Sequence, residues 1–317
     1  MTMQQIAGRA AGKPTSVAVL LGAGRGGTTL LYKLLALHRD IAYLSNYQAR
    51  FPRVPALAAL QRPLRERHAL KLATWFKADG GAYFGSGRQR LQALVPAPVE
   101  GEPVYASCGI PLMPAPDQVP DVAACEALAA RLEAVRRHAG ARVLLTKRTA
   151  NNQRIVWIER ALPAARYINI VRDGRAVASS LMQVEWWAEG KLFWAGKSPR
   201  HLVAEGQDEL ALAARNWVEE TELIDAAVQQ MAAERVHTVR YEELLARPAD
   251  MLTGILDFLG LARADDPAFL PAVQSLGLRP AGSPWNRAWT PQQRESVTRI
   301  QAPMLARHGY DPHAASS

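Results

Sequence analysis

Apolar residues are distributed along this chain in two distinct patterns. Short apolar-rich runs occupy 17–21, 142–146, 167–171 and 236–240, and predict β-strands. Between them the spacing changes to three and four. Val122, Cys125, Leu128, Leu132 and Val135 share one helical face, as do Ile155, Ile158 and Leu162. A longer helix is predicted over 208–233, with Leu210, Ala214, Trp217, Ile224, Val228 and Met231 turned inward. Near the end of the chain, Thr290, Pro291 and Gln293 form a capping box with proline at the first helical position, and Gly309 stops that helix. Strands alternating with helices predict an α/β fold. The expected architecture is a parallel sheet of about four to five strands flanked by helices, three-layered and P-loop-like. It spans 17–312 as one domain between a flexible tail at 1–16 and a short one at 313–317. Two stretches, 95–120 and 183–206, carry proline or aromatics without periodicity and predict long loops, of the kind that serves function.

The transition after the first strand carries the chemistry. Four glycines fall within six positions, Gly22, Gly24, Gly26 and Gly27, and Thr28-Thr29 then opens a leucine-rich helix. Backbone N–H groups and a helix N-terminus arranged in this way suit an anion, usually phosphate. Two motifs half-match. Gly22, Gly24 and Gly27 spell G-x-G-x-x-G, but Asp40 precedes the apolar pair Ile41-Ala42 instead of ending a second strand, so the ribose ligand of a dinucleotide site is missing. Gly22 followed by Gly27-Thr28-Thr29 has P-loop spacing, but Thr28 stands where the phosphate-reaching lysine belongs. A tight strand-to-helix turn is the plain alternative, disfavoured because so many glycines cost folding entropy. The loop is left with Arg25 as its only cation.

Composition narrows the class. Hydrophobic residues make up 49 %, enough for a large core, and no run of about 18 uncharged apolar residues predicts a membrane span. The N-terminus has Arg9 and Lys13 but no apolar segment, so it does not read as a signal peptide. Cys108 and Cys125 fit no zinc spacing. A cytoplasmic protein without a structural metal is expected. The net charge of +9 is spread along the chain, so nucleic-acid binding is not specifically signalled, and the positive field suits a small polyanion equally well.

A second segment runs from Ala165 to Leu181. Its strand delivers Arg172 at the carboxyl end, where open α/β sheets bind ligands, and a helix beginning near Asp173 carries Ser180 two turns on. Arginine and serine so placed can share one phosphate. Structural contacts for both are the plain alternative.

Taken together, the two segments resemble sulfotransferases that use 3′-phosphoadenosine 5′-phosphosulfate (PAPS). That family pairs an Arg-Ser-Gly-Thr-Thr-like loop with an Arg-Asp-x-Arg-Ala-Val…Ser segment, matched here by Arg25-Gly-Gly-Thr-Thr29 and by Arg172 through Ser180. Gly26 departs from the pattern, where serine is usual. The resemblance implies that Gly24, Arg25, Gly26, Gly27, Thr28 and Thr29 hold the 5′-phosphosulfate and that Arg172 and Ser180 hold the 3′-phosphate. Lys147, in a Lys-Thr-Pro-x-Asn-like stretch, would steady the leaving oxygen, and Tyr241, in an Arg-Tyr-Glu-x-Leu-like segment, would lie on the adenine nucleotide. Ser283 and Trp289 match more loosely the loop that closes over the cofactor. No metal is implied. The carboxylate that family members often place about twenty positions after the loop arginine is absent from 45–50. His68 is therefore the expected base, by its unperturbed pKa near neutrality, with Glu66 and Asp79 as alternatives. The expected acceptor is a hydroxyl or amine on a small molecule, glycan, lipid or peptide. Trp186, Trp187, Phe193 and Trp194 either line its cleft or pack their own loop. Two rival classes are a P-loop-like ATP-dependent kinase requiring Mg²⁺, and a non-catalytic nucleotide- or nucleic-acid-binding protein.

Overall fold

The computed structural model describes residues 16–77, 94–115, 117–280 and 284–312. Most of the expected tails, Asp79 and Ser283 lie outside them. Five strands form one sheet: β1 (Val17–Leu21), β2 (Ile41–Tyr43), β3 (Val143–Lys147), β4 (Arg166–Val171) and β5 (Val236–Arg240). Their order is β2-β3-β1-β4-β5 and every pairing is parallel. The principal helices are α1 (Thr28–Ala36), α2 (His68–Trp75), α3 (Val122–Ala139), α4 (Ile155–Ala161), α5 (Gly174–Leu181), α6 (Glu209–Val228), α7 (Pro248–Leu259) and α8 (Pro291–Arg307).

The three layers follow from the alternation of side chains along β1. Ala18 and Leu20 point to one face, where they join α1, β5 and α7 through Leu31, Leu34, Val239, Leu252 and Ile255. Val19 and Leu21 point to the other, against Ile155 and Ile158 of α4 and Ile224 of α6. A strand covered on both sides reads as an unbroken apolar run, which is why β1 is legible in the sequence.

Three details differ from the sequence reading. β2 is a fifth strand of only three residues. β3 is shifted one residue onward from 142–146, which puts Lys147 at its end, level with Leu20 of β1. The long helix starts after Asp208, whose side chain caps it by accepting from Ala211 N, and it ends at Val228, short of Ala233. The Thr290 capping box forms as read, and Gly309 takes φ 71° beyond α8. Within the expected loops, Glu102–Ser107 and Pro199–Ala204 are helical.

The consequence for function lies at one edge. β1, β3, β4 and β5 are parallel, so the glycine loop, Lys147, Arg172 and Tyr241 all emerge at the same carboxyl edge. β1 is also where the strand order reverses, the place where open α/β sheets bind ligands.

Candidate active site

After Leu21 the chain turns sharply, closed by Gly26 N donating to Ala23 O at 2.9 Å. Arg25 has φ 65°, and among the described residues it is the one non-glycine with positive φ. Left-handed backbone at a non-glycine costs free energy and concentrates at functional sites. Gly27 is required by its surroundings: its φ is 94°, and a Cβ there would lie 2.2 Å from the Tyr241 ring. α1 then begins at Thr28 with no side-chain cap on its first N–H groups, the arrangement that favours an anion.

The second segment meets this loop. Asp173 accepts from Arg175 N at 2.9 Å and starts α5; its carboxylate also pairs with the Arg175 guanidinium at 2.8 Å. Arg175 is buried and lies 4.8 Å from the Trp285 ring centre, so the second arginine of the segment fixes the helix. Ser180 is thereby presented to Arg25, whose Nε donates to its hydroxyl at 2.9 Å. Arg172 donates to the Arg25 carbonyl at 3.0 Å, and its guanidinium lies 4.6 Å from the Tyr241 ring centre. Arg25, Gly27, Arg172, Ser180 and Tyr241 are thus brought into one constellation. Trp289, matched loosely to the closing loop, packs against Trp285 in a tilted pair with ring centres 5.8 Å apart.

Lys147 is almost wholly buried and its ammonium donates to the Thr29 hydroxyl at 3.2 Å. It also donates to Glu100, which Arg148 contacts from the other side. Burial pushes the Glu100 carboxyl up, but the nearby charges and hydrogen bonds of Lys147 and Arg148 outweigh it and hold the group below the ordinary carboxylate range. A second carboxylate, Glu220 of α6, accepts from Gly24 N at 2.6 Å and from Asn216 Nδ2 at 3.1 Å. Burial raises its pKa, and these two hydrogen bonds offset that only in part. Asn152 Nδ2 donates to the Gly22 carbonyl at 3.0 Å, tying the turn after β3 to the glycine loop.

A cleft of about 570 Å³ opens beside this constellation. Gly24, Arg25, Thr28, Thr29 and Lys147 form its inner end, with Glu100 and Glu220 beside them. Trp186, Trp187 and Phe193 line it further out. Trp187 is buried in the apolar cluster beneath and Trp194 packs against that cluster, so the two alternatives for the aromatic loop are divided among its members.

His68 is not part of this site. It is buried at the start of α2, with Nε2 3.1 Å from Asp266, whose carboxylate also accepts from Arg39 N at 2.8 Å. Arg39 lies just before β2, so this pair belongs to the amino edge of the parallel sheet, opposite the cleft. Glu66 is likewise remote, ion-paired with Arg39 at 2.9 Å. The intrinsic pKa of imidazole, which singles out His68 in the sequence, carries no information about which edge of the sheet a helix start occupies. Glu100 and Glu220 are the carboxylates that the sequence reading missed. Glu220 did leave a signal, because it falls on the inward face of α6 between Trp217 and Ile224, where a carboxylate needs a partner.

A profile of the sulfotransferase family matches residues 18–266. Among solved structures, the sulfotransferase STF9 from Mycobacterium avium is similar in fold, with a TM-score of 0.58 at 18 % identity over 95 % of this chain and 78 % of that one. The sulfotransferase domain of the Synechococcus PCC 7002 olefin synthase is 20 % identical over 95 % of this chain and 97 % of its own, with a TM-score of 0.48. The chain belongs to the sulfotransferase family and is an enzyme of sulfuryl transfer.

Proposed function

We propose that the enzyme takes its sulfuryl group from PAPS and delivers it to a hydroxyl. The observation that carries this reading is the junction of two anion-binding segments, Arg25 of the glycine loop and Ser180 of α5, at one sheet edge beside a buried lysine. The residues fit such a donor. The uncapped start of α1 with Thr28 and Thr29 suits the 5′ end, and Arg172 with Ser180 suits a phosphate at the 3′ position. Tyr241, between Gly27 and Arg172, offers an aromatic face to the nucleotide. When bound, the donor supplies an electrophilic sulfur and a phosphate leaving group.

The chain's own residues then have distinct tasks. The loop amides and Arg25 hold the phosphosulfate in line with the acceptor. Lys147 neutralises charge on the departing phosphate oxygen. Glu100 takes the acceptor's proton. An anion bound at Lys147 competes with Glu100 for that ammonium, and a carboxylate that loses a cationic partner becomes a stronger proton acceptor. A reducing, cytoplasmic setting fits the buried, free thiols of Cys108 and Cys125.

Incubating the enzyme with donor carrying a labelled sulfur and a panel of hydroxyl compounds tests this directly. The expected result is labelled sulfate ester with stoichiometric adenosine 3′,5′-bisphosphate. Transfer of phosphate from ATP·Mg²⁺ to the same panel, without sulfate ester, would contradict it.

A further inference from the structure

The outer half of the cleft has a chemistry of its own. Leu112, Met113 and Trp186 are all substantially solvent-exposed, at 44 %, 37 % and 55 %, and all three line this one concavity. Apolar side chains gathered at the mouth of a site, and not scattered over the surface, mark a surface that an apolar ligand covers. The wall behind them is built. Trp187 and Leu192 are buried, and Leu192 N donates to Lys197 O at 3.0 Å. The Trp194 indole donates to Asn216 Oδ1 at 3.1 Å, beneath the Arg215 guanidinium 4.3 Å from its ring centre. Asn216 bonds Glu220, which holds Gly24, so the aromatic loop is set in register with the glycine loop through three hydrogen bonds.

That chain of bonds also occupies the polar groups a sugar would need. Asn216 and Glu220 are engaged with each other, with Trp194 and with Gly24. Among the described residues, Thr149, Gln153 and Lys191 make up the rest of the polar lining of the outer cleft, too few to match a ring of hydroxyls. The inner end, by contrast, concentrates Lys147, Arg148 and Glu100 at one point. A single polar terminus and an apolar, partly aromatic body describe the complementary ligand.

Resting on the donor reading above, we propose that the acceptor is a phenol: a flat apolar ring lying across Trp186, Phe193, Leu112 and Met113, with its hydroxyl directed to Lys147 and Glu100. The phenolic oxygen forms a bond to the donor's sulfur as the bond from sulfur to the bridging phosphate oxygen breaks. The electron pair leaves on that oxygen, the phenolic proton goes to the Glu100 carboxylate, and the products are an aryl sulfate and adenosine 3′,5′-bisphosphate. A phenol also suits a carboxylate base, since it gives up its proton far more readily than an alkanol.

Calorimetry on the enzyme saturated with adenosine 3′,5′-bisphosphate tests this without turnover. 2-Naphthol, 1-octanol and glucose are titrated into the parent and into the rim variants Trp186→Ala and Leu112→Asp. The expected result is saturable binding of 2-naphthol alone, weakened about tenfold or more in each variant. The affinity of both variants for the bisphosphate should be unchanged. Binding of glucose or octanol in preference, or variants that bind 2-naphthol like the parent, would overturn the phenol assignment while leaving the donor reading intact. Failure of the bisphosphate itself to bind would instead overturn the donor reading, and the phenol assignment with it.

Discussion

The Nε of Arg25 donates to the hydroxyl of Ser180 at 2.9 Å, joining two segments that lie 155 positions apart. The fold brings the glycine loop and the start of α5 side by side, as the proposed donor site requires. Arg172 strengthens the junction by donating to the Arg25 carbonyl at 3.0 Å.

Arg172→Ala and Ser180→Ala are therefore expected to weaken binding of adenosine 3′,5′-bisphosphate. The arginine variant should lose on the order of 1.5–3 kcal/mol, as for a charged hydrogen-bond partner, and the serine variant less. Titration calorimetry reads both, and parental affinity in the two variants would remove the 3′-phosphate from this position.

Lys147→Ala is expected to lower kcat by about 10²–10³, with a much smaller change in affinity for the bisphosphate. Its ammonium contacts Thr29 of the glycine loop and Glu100 at the cleft, as the role proposed for it requires. Activity should persist in EDTA, because the charge is neutralised by side chains. A variant with full activity, or a strict Mg²⁺ requirement, would contradict this role.

Glu100→Gln is expected to reduce kcat by about 10²-fold or more and to flatten the acid limb of the profile of kcat/KM against pH. A base works only when deprotonated, so in the parent the rate rises with pH through its pKa, and glutamine removes that dependence. An acid limb that survives the substitution would assign the proton to another group.

The legibility of the site was uneven for physical reasons. β1 and the glycine loop are local features, an apolar run and a backbone conformation, and both are written in consecutive residues. Arg172 stands out in the sequence at a strand end and Ser180 two turns along the helix that follows, whereas Lys147 stands out only through the family resemblance. Glu100 does not stand out: it reaches Lys147 because Val99 N donates to Leu44 O at 2.9 Å, laying its segment beside the chain after β2, a long-range pairing with no local pattern. β2 is three residues long, too short to show a period. His68 illustrates the converse, a residue with suitable intrinsic chemistry on the wrong edge of the sheet.

That residue has a structural role with a definite pH dependence. Burial pushes the Asp266 carboxyl up, but hydrogen bonds from His68 and Arg39 N, with the nearby histidine charges, outweigh it and leave the group below its ordinary value. A carboxyl lowered on folding contributes stability above its unfolded pKa and loses it as pH falls through the lowered folded value. Asp266→Asn should thus cost about 1.5–3 kcal/mol at pH 7, with the difference from the parent vanishing in strong acid. His68→Ala should lower Tm yet leave kcat within a factor of about two. Denaturant melts across pH and steady-state rates check both, and a collapse of kcat with unchanged Tm would return His68 to the reaction.

If one sheet edge binds both ends of a 3′-phosphorylated nucleotide, the enzyme must tell nucleotides apart by their 3′-phosphate. Calorimetric titration of the parent and of Arg172→Ala with adenosine 3′,5′-bisphosphate and with adenosine 5′-phosphate tests it most directly, since the ligands differ only in the 3′-phosphate. The parent is expected to bind the bisphosphate about 10- to 100-fold more tightly, and the substitution to remove most of this difference. Equal affinity of the parent for the two ligands, or binding of ATP·Mg²⁺ alone, would contradict it.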